Sequence, residues 1–251
     1  MQTHYYQPIW TLVGGGLKDQ KQSGRPMASV LPKKATWIKD SVATFDPDNN
    51  RVTTAGGDEI AYEFLVVAMG LQLRYENVKG LVDALQTPGS GVCSNYAYEH
   101  VGKTWKAIQD FKSGNAVFTF PNTPIKCAGA PQKIMYITEQ QLRKVGIFLR
   151  LRIFFTGKHL QMNKRESAKV IYHTALPVLF GVKKYADALW KVVEERGIEV
   201  NNRSNLVEVR PDSREAVFEN LDDPNKRETV RYEMLHVSPP MGSPDVLKAF
   251  F

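Results

Sequence analysis

The sequence predicts an α/β fold built on a parallel sheet, and three observations predict it. Strand-like apolar runs alternate with helical periodicities through the second half of the chain, an order that favours parallel strands joined by right-handed crossovers. Phe64-Leu65-Val66-Val67-Ala68-Met69-Gly70 is a continuous apolar run ending in glycine, the pattern of a strand buried on both faces. Val182, Tyr185, Ala186, Leu189, Val192 and Val193 then fit the i, i+3, i+4, i+7 spacing of a helix, closed by Gly197.

Composition bounds the rest. The chain has 251 residues, 43% hydrophobic and 24% charged, enough for one large domain or two ordinary ones and too apolar for disorder. The net charge of +7 is spread along the chain rather than gathered, so no nucleic-acid patch is expected. Two cysteines, Cys93 and Cys127, exclude a secreted disulfide scaffold. The first residues lack the charged-then-apolar pattern of a signal peptide. The longest apolar stretch, 147–155, is interrupted by Arg150 and Arg152 and is too short to span a bilayer.

The elements follow in order. Gly14-Gly15-Gly16 has no strand before it, so it reads as a flexible or tight loop rather than a phosphate-binding turn. Ala35 to Ile38, Ser41 to Phe45, Arg51 to Thr54 and Glu59 to Tyr62 read as short strands, with a turn at Asp46 to Asn50. Asn77 to Gly91 reads as a Gly- and Pro-rich linker. Val101, Trp105, Ile108 and Phe111 share a helical face that Gly114 ends. Ala116 to Phe120 is a buried strand. A loop, Pro121 to Ala130, leads into a helix from Pro131, with Ile134, Met135, Thr138 and Leu142 on one side. Lys169 to His173 is a strand, Leu206 to Arg210 and Glu215 to Glu219 a hairpin, and Met234 to Val237 a last strand.

Chemistry concentrates at Cys127. A strand–loop–helix turn is where α/β sheets place ligands. The following helix N-terminus, with Lys126 and Lys133, would favour a thiolate. A free cysteine is also commonly a small apolar core residue, and residue chemistry alone leaves both readings open. Cys93 has no charge or helix terminus beside it and reads as a spectator, although sequence leaves a pairing of the two thiols open. The five histidines show no metal-ligand spacing, so no metal site is expected and each reads as structural or surface.

A resemblance then adds to these readings. His4-Tyr5-Tyr6-Gln7-Pro8-Ile9-Trp10, Val66-Val67-Ala68-Met69-Gly70, Lys103-Thr104-Trp105-Lys106-Ala107 and above all Phe118 to Tyr136, with Pro124-Ile125-Lys126-Cys127-Ala128-Gly129-Ala130, resemble the mitochondrial-type sulfide:quinone oxidoreductases. Phe180 to Leu189 and Tyr232 to Val237 continue the likeness in order. The resemblance implies a tandem Rossmann-like FAD/NAD(P)-binding fold of the flavoprotein disulfide reductase type. Residues 1–85 would be part of the FAD domain, and 86–240 the second domain with an insertion at 147–163. Residues 241–251 would be a divergent tail.

It implies that hydrogen sulfide is oxidised to cysteine-bound sulfane sulfur. Electrons would pass through FAD to ubiquinone at the mitochondrial inner membrane, and the sulfur would go to glutathione or sulfite. Cys127 matches one redox cysteine, and Gln7 and Val42 match FAD contacts. The family's first GxGxxG unit, second redox cysteine and quinone region have no counterpart here, which implies a partial chain that holds FAD weakly or not at all and does not turn over sulfide. Alternatives are an inactive fragment of that enzyme or another flavin-dependent quinone reductase, such as a type II NADH dehydrogenase. The absence of a glycine triplet in the Pro121 to Ala130 loop argues against the last. The insertion is expected to project as a mobile loop or short amphipathic helix with exposed apolar residues.

Overall fold

The structure, a computed structural model, describes residues 2–156, 167–223 and 225–248, with side chains of 145–156 set aside. Strand β1 (Thr3–Tyr5) pairs antiparallel with β2 (Gly24–Pro26). Between them lies a short helix, α1 (Trp10–Gly14), whose Trp10 and Val13 pack on Val101. The glycine triplet ends α1 as a tight, packed turn. Gly16 has φ +72°, and a Cβ there would stand 2.4 Å from the Trp105 ring.

A three-stranded antiparallel sheet follows, β3 (Val42–Asp46), β4 (Arg51–Thr54) and β5 (Glu59–Ala61). The turn expected at Asp46 to Asn50 is present, with Asn50 in the left-handed region at φ 51°. Two expectations fail in this half. Ala35 to Ile38 forms no strand. Nor does Phe64 to Gly70, where Phe64 is 91% and Val66 86% exposed. An apolar run becomes a buried strand only when neighbours take its backbone groups and cover its faces. Among the described residues no strand pairs with it.

Next come β6 (Gln72–Leu73) and α2 (Leu81–Gln86). The expected linker at Asn77 to Gly91 is therefore a packed element. Val78, Leu81, Ala84 and Leu85 are all buried, a helical face that the surrounding glycines and Pro88 disguised. The second half holds β7 (Val92–Cys93), α3 (Tyr98–Asp110), β8 (Gly114–Phe120), α4 (Ala130–Thr156), β9 (Ala168–Thr174), α5 (Lys183–Arg196) and β10 (Glu199–Asn202). A three-stranded meander, β11 (Ser204–Arg210), β12 (Glu215–Asn220) and β13 (Arg227–Arg231), leads to β14 (Met234–His236). The last elements are β15 (Met241–Gly242), paired with β6, and α6 (Asp245–Lys248). The Asp245 carboxylate accepts from Arg74 Nη1 at 2.9 Å, which fastens this end of the chain to the segment after β6.

The expected parallel sheet has strand order β10-β9-β8-β14-β7. Side chains alternate across it with period two. Phe118, Phe120, Val170 and Tyr172 face one way, into a core shared with Ile134, Met135 and Leu142 of α4. Val117, Ile171 and Leu235 face the other way, against Leu206 and Phe218 of the meander and Leu81 of α2. Each fully buried side chain of this size contributes about 1.5–3 kcal/mol, so the two-sided burial fixes the strand register.

Some boundaries move. Gly114, expected to stop α3, instead has φ +99° and opens β8, while α3 ends at Asp110. Val182 and Tyr185 from the predicted apolar face of α5 are 50% and 58% exposed, because only Ala186 and Val193 are fully covered. Gly197 caps the helix at φ 57°, as expected. Residues 147–156 of the insertion continue α4 as one helix rather than forming a separate loop. Residues 157–163, and the exposure of the insertion's apolar side chains, lie outside what the structure describes.

Candidate functional site

The site forms at the C-terminal edge of the parallel strands, where β8 leaves the sheet. Main-chain strand bonds end at Phe120, and the prolines at 121 and 124 prevent the ladder from continuing. The loop is pinned on both sides. The Asn122 amide donates to Asn205 Oδ1 at 3.1 Å, and Thr123 Oγ1 accepts from the Met241 amide at 2.9 Å. The Ala130 amide donates to the Cys127 carbonyl at 3.1 Å and turns the chain into α4. Cys127 is thereby left as an exposed free thiol just before a helix.

Cys127 opens on a cavity of about 260 Å³. Gln7 and Trp10 come to it from the N-terminal segment, Asn95 and Tyr96 from the loop after β7, and His236 from the end of β14. Lys126 and Lys133 also line it. The Lys126 ammonium donates to Gln7 Oε1 at 2.8 Å, which ties the N-terminal segment to the cysteine loop. Desolvation at that position holds the Lys126 pKa below the usual lysine value.

The inner wall is uncharged. His236 is fully buried, and its Nε2 accepts the Asn95 amide at 3.2 Å. Burial pushes its pKa down to about 3, so the ring stays neutral with its proton on Nδ1. Burial also raises the Tyr96 phenol well above the usual tyrosine range. Among the described residues, Trp10 Nε1 and both polar atoms of the Asn95 carboxamide are buried without a hydrogen-bond partner.

Of the residues singled out by sequence, Cys127 and Gln7 meet at this cavity. Val42 does not line it. It starts β3, opposite Thr54 in the antiparallel sheet. Cys93 lies inside the parallel sheet, fully buried, with Sγ 3.7 Å from the Leu235 carbonyl. Burial pushes its thiol up to about 12, so it stays protonated, and it is a free cysteine unpaired with Cys127. Sequence reasoning missed Trp10, Asn95 and His236 as cavity residues. Asn95 was detectable only as the polar residue after a parallel strand, and β7 is two residues long inside an apparent linker.

No protein-family model matches the chain. Over 245 residues it is 53% identical to the mitochondrial sulfide:quinone oxidoreductase of Mus musculus, a match covering 98% of this chain and 50% of that protein. It is 45% identical over 246 residues to the protein of the same name in Dictyostelium discoideum, again covering 98% and 50%. Among solved structures, the sulfide:quinone oxidoreductase of Aquifex aeolicus shares the fold, with a TM-score of 0.71 at 20% identity over 99% of this chain and 53% of that one. The chain spans about half the length of the curated relatives it matches.

Proposed function

We propose, on the premise that this chain is a homologue of the mitochondrial sulfide:quinone oxidoreductases along nearly all of its length, that it serves the oxidation of hydrogen sulfide with Cys127 as the sulfur-carrying thiol. The observation that carries this reading is an exposed cysteine at the mouth of a cavity on the C-terminal edge of a parallel sheet. The thiol and one molecule of hydrogen sulfide give the persulfide, with a new S–S bond, two protons and two electrons. A quinone that takes up both electrons and both protons becomes the quinol. Bound flavin supplies the two-electron relay between sulfur and quinone.

The residues present fit the reacting end of FAD. Gln7 brings a carboxamide to the same cavity as Cys127, and among the described residues no carboxylate lines that cavity to oppose an electron-rich ring. Val42, on a separate sheet, is the second contact we assign. An extended dinucleotide touches residues on separate elements. The chain's own contribution is positional. The pinned loop presents Cys127, and the Lys126–Gln7 bond holds the loop against the N-terminal segment. We further read residues 1–85 as part of the flavin domain, 86–240 as the second Rossmann-like domain, and 241–251 as a divergent tail. The quinone would be ubiquinone, the setting the mitochondrial inner membrane, and the sulfur acceptor glutathione or sulfite. Among the described residues no helix is long and apolar enough to cross a membrane.

The test replaces Cys127 by serine at the chromosomal locus and follows quinone reduction in isolated mitochondria. Sulfide-dependent reduction should fall to background while succinate-dependent reduction continues. Undiminished sulfide-dependent reduction would overturn the assignment.

A further inference from the structure

We propose that a second cavity, at the opposite edge of the parallel sheet from Cys127, binds an amphiphilic organic anion, an apolar ring or chain that ends in one carboxylate. The proposed sulfide chemistry does not use this cavity, so the inference stands or falls apart from that reading.

The cavity has a volume of about 770 Å³, within the range of small-molecule sites. It lies where β7, β8 and β14 begin, between the loop 86–91 that follows α2, one face of α3 and the turn 111–113. Its lip is tied in place. Arg214, from the turn between β11 and β12, donates from Nη2 to the Gly89 carbonyl at 3.0 Å and from Nη1 to the Glu233 carboxylate. Gly91 has φ +77°, and a Cβ on it would stand 2.4 Å from the Glu233 carbonyl oxygen. The loop therefore meets the segment before β14 with main chain alone.

The lining has two characters. Lys103, Lys106, Lys112 and Arg214 face Asp110 and Glu233 around it. Lys106 Nζ holds Asp110 at 2.8 Å and Arg214 holds Glu233, so both carboxylates are already paired. Lys103 and Lys112 are left, and among the described residues neither has a carboxylate partner. Lys103 donates to the Leu85 carbonyl and keeps further N–H groups for a ligand. An excess of cations selects an anion, and a charge-assisted bond to a carboxylate is stronger than a neutral one. Between the charges the lining is carbon, with Pro88 at the lip, half-buried Ala107, and buried Val92 and Phe111. An inorganic anion leaves that carbon wet, whereas an apolar body removes it from water, which is favourable. The two characters together call for a carboxylate with an apolar body.

The purified chain is titrated with sodium naphthoate and with sodium octanoate at fixed ionic strength, and its amide resonances are followed. Naphthylmethylammonium chloride, of similar size and opposite charge, and inorganic phosphate, without an apolar body, run beside them. At least one carboxylate should saturate, moving the Gly91, Ala107 and Lys112 amides together. Naphthoate alone assigns a ring, octanoate alone a chain, and saturation by both assigns the shared chemistry. The ammonium and phosphate should bind at least about tenfold more weakly. Saturation by neither carboxylate overturns the proposal. So does equal binding of the ammonium or of phosphate, or shifts confined to the residues around Cys127. Lys112→Glu, at an exposed position, should weaken the bound carboxylate at least about threefold, and Ala107→Leu should weaken it further by filling the cavity. Undiminished affinity in Lys112→Glu contradicts the site, whether or not the Ala107 variant folds. None of these readouts needs flavin, quinone or turnover, so they fail or succeed independently of the mitochondrial assay.

Discussion

Two free thiols in one chain meet opposite fates because of where the backbone puts them. Cys93 sits on the edge strand β7, buried beneath α3, where the charged form is so penalised that its pKa rises to about 12. Cys127 stands exposed on a pinned loop. Only the thiolate reacts with alkylating agents, and access to Cys93 requires the packing around it to open. Iodoacetamide at pH 8 should therefore label Cys127 at least about a hundredfold faster than Cys93, and denaturant should equalise the two, as followed by peptide mass spectrometry. Comparable rates in the folded chain would contradict the placement of Cys93. The candidate status of Cys127 was legible in sequence, because the strand, the two prolines and the following helix are all local signals. The wall behind it was not. Trp10, Asn95 and His236 come from three distant segments, and no spacing rule links them.

At the scale of elements, the strongest local patterns survived. β8, β9, α4 and α5 stand where apolar runs and helical spacing put them. The failures share one cause, since burial is decided by neighbours. Phe64 to Gly70 has a strand's composition without a partner, whereas Asn77 to Gly91 has a linker's composition and a helix's packing. The join of α2 to the meander depends on Gly80, which has φ +74° and whose added Cβ would meet the Val209 carbonyl oxygen at 2.2 Å. Gly80→Ala combines left-handed strain of about 1–2 kcal/mol with a backbone clash, so it should cost more than about 2 kcal/mol in urea unfolding. Val66→Lys, on the exposed run, should shift stability by less than about 0.5 kcal/mol. Equal effects for the two variants would show that the apparent linker is not packed as described.

Among the described residues two histidines, His173 and His236, are buried and neutral, which makes the stability of the whole molecule depend on pH. Burial lowers His173 to about 4 and His236 to about 3, from an ordinary 6.5. His173 Nδ1 lies 2.8 Å from Ser204 Oγ, and its ring stacks on Phe218 with centroids 3.8 Å apart. Above pH 6.5 both rings are neutral, folded or unfolded, and add no dependence. Below it the unfolded chain takes up protons that the folded chain refuses. Stability should fall as pH drops from about 6.5 toward 4, by roughly 2 kcal/mol per histidine at pH 5. Urea midpoints at pH 7.5 and pH 5 measure this. His173→Gln should flatten part of the slope, and equal midpoints for the wild-type chain would show that the rings are not held neutral.

The sequence by itself determined the fold class, the order of the main strands and helices, the loop that offers Cys127, and the family the chain resembles. These are properties of periodicity, turn residues and contiguous motif, all readable over a few residues at a time. Only the tertiary structure decided which apolar runs are buried, that Cys93 is a core residue, and that Gln7 reaches the cysteine loop through Lys126. It alone gathered Trp10, Asn95 and His236 behind that loop. Burial and polar pairing belong to the packed chain. They depend on which distant segments exclude water from a given atom, and no stretch of sequence carries that by itself.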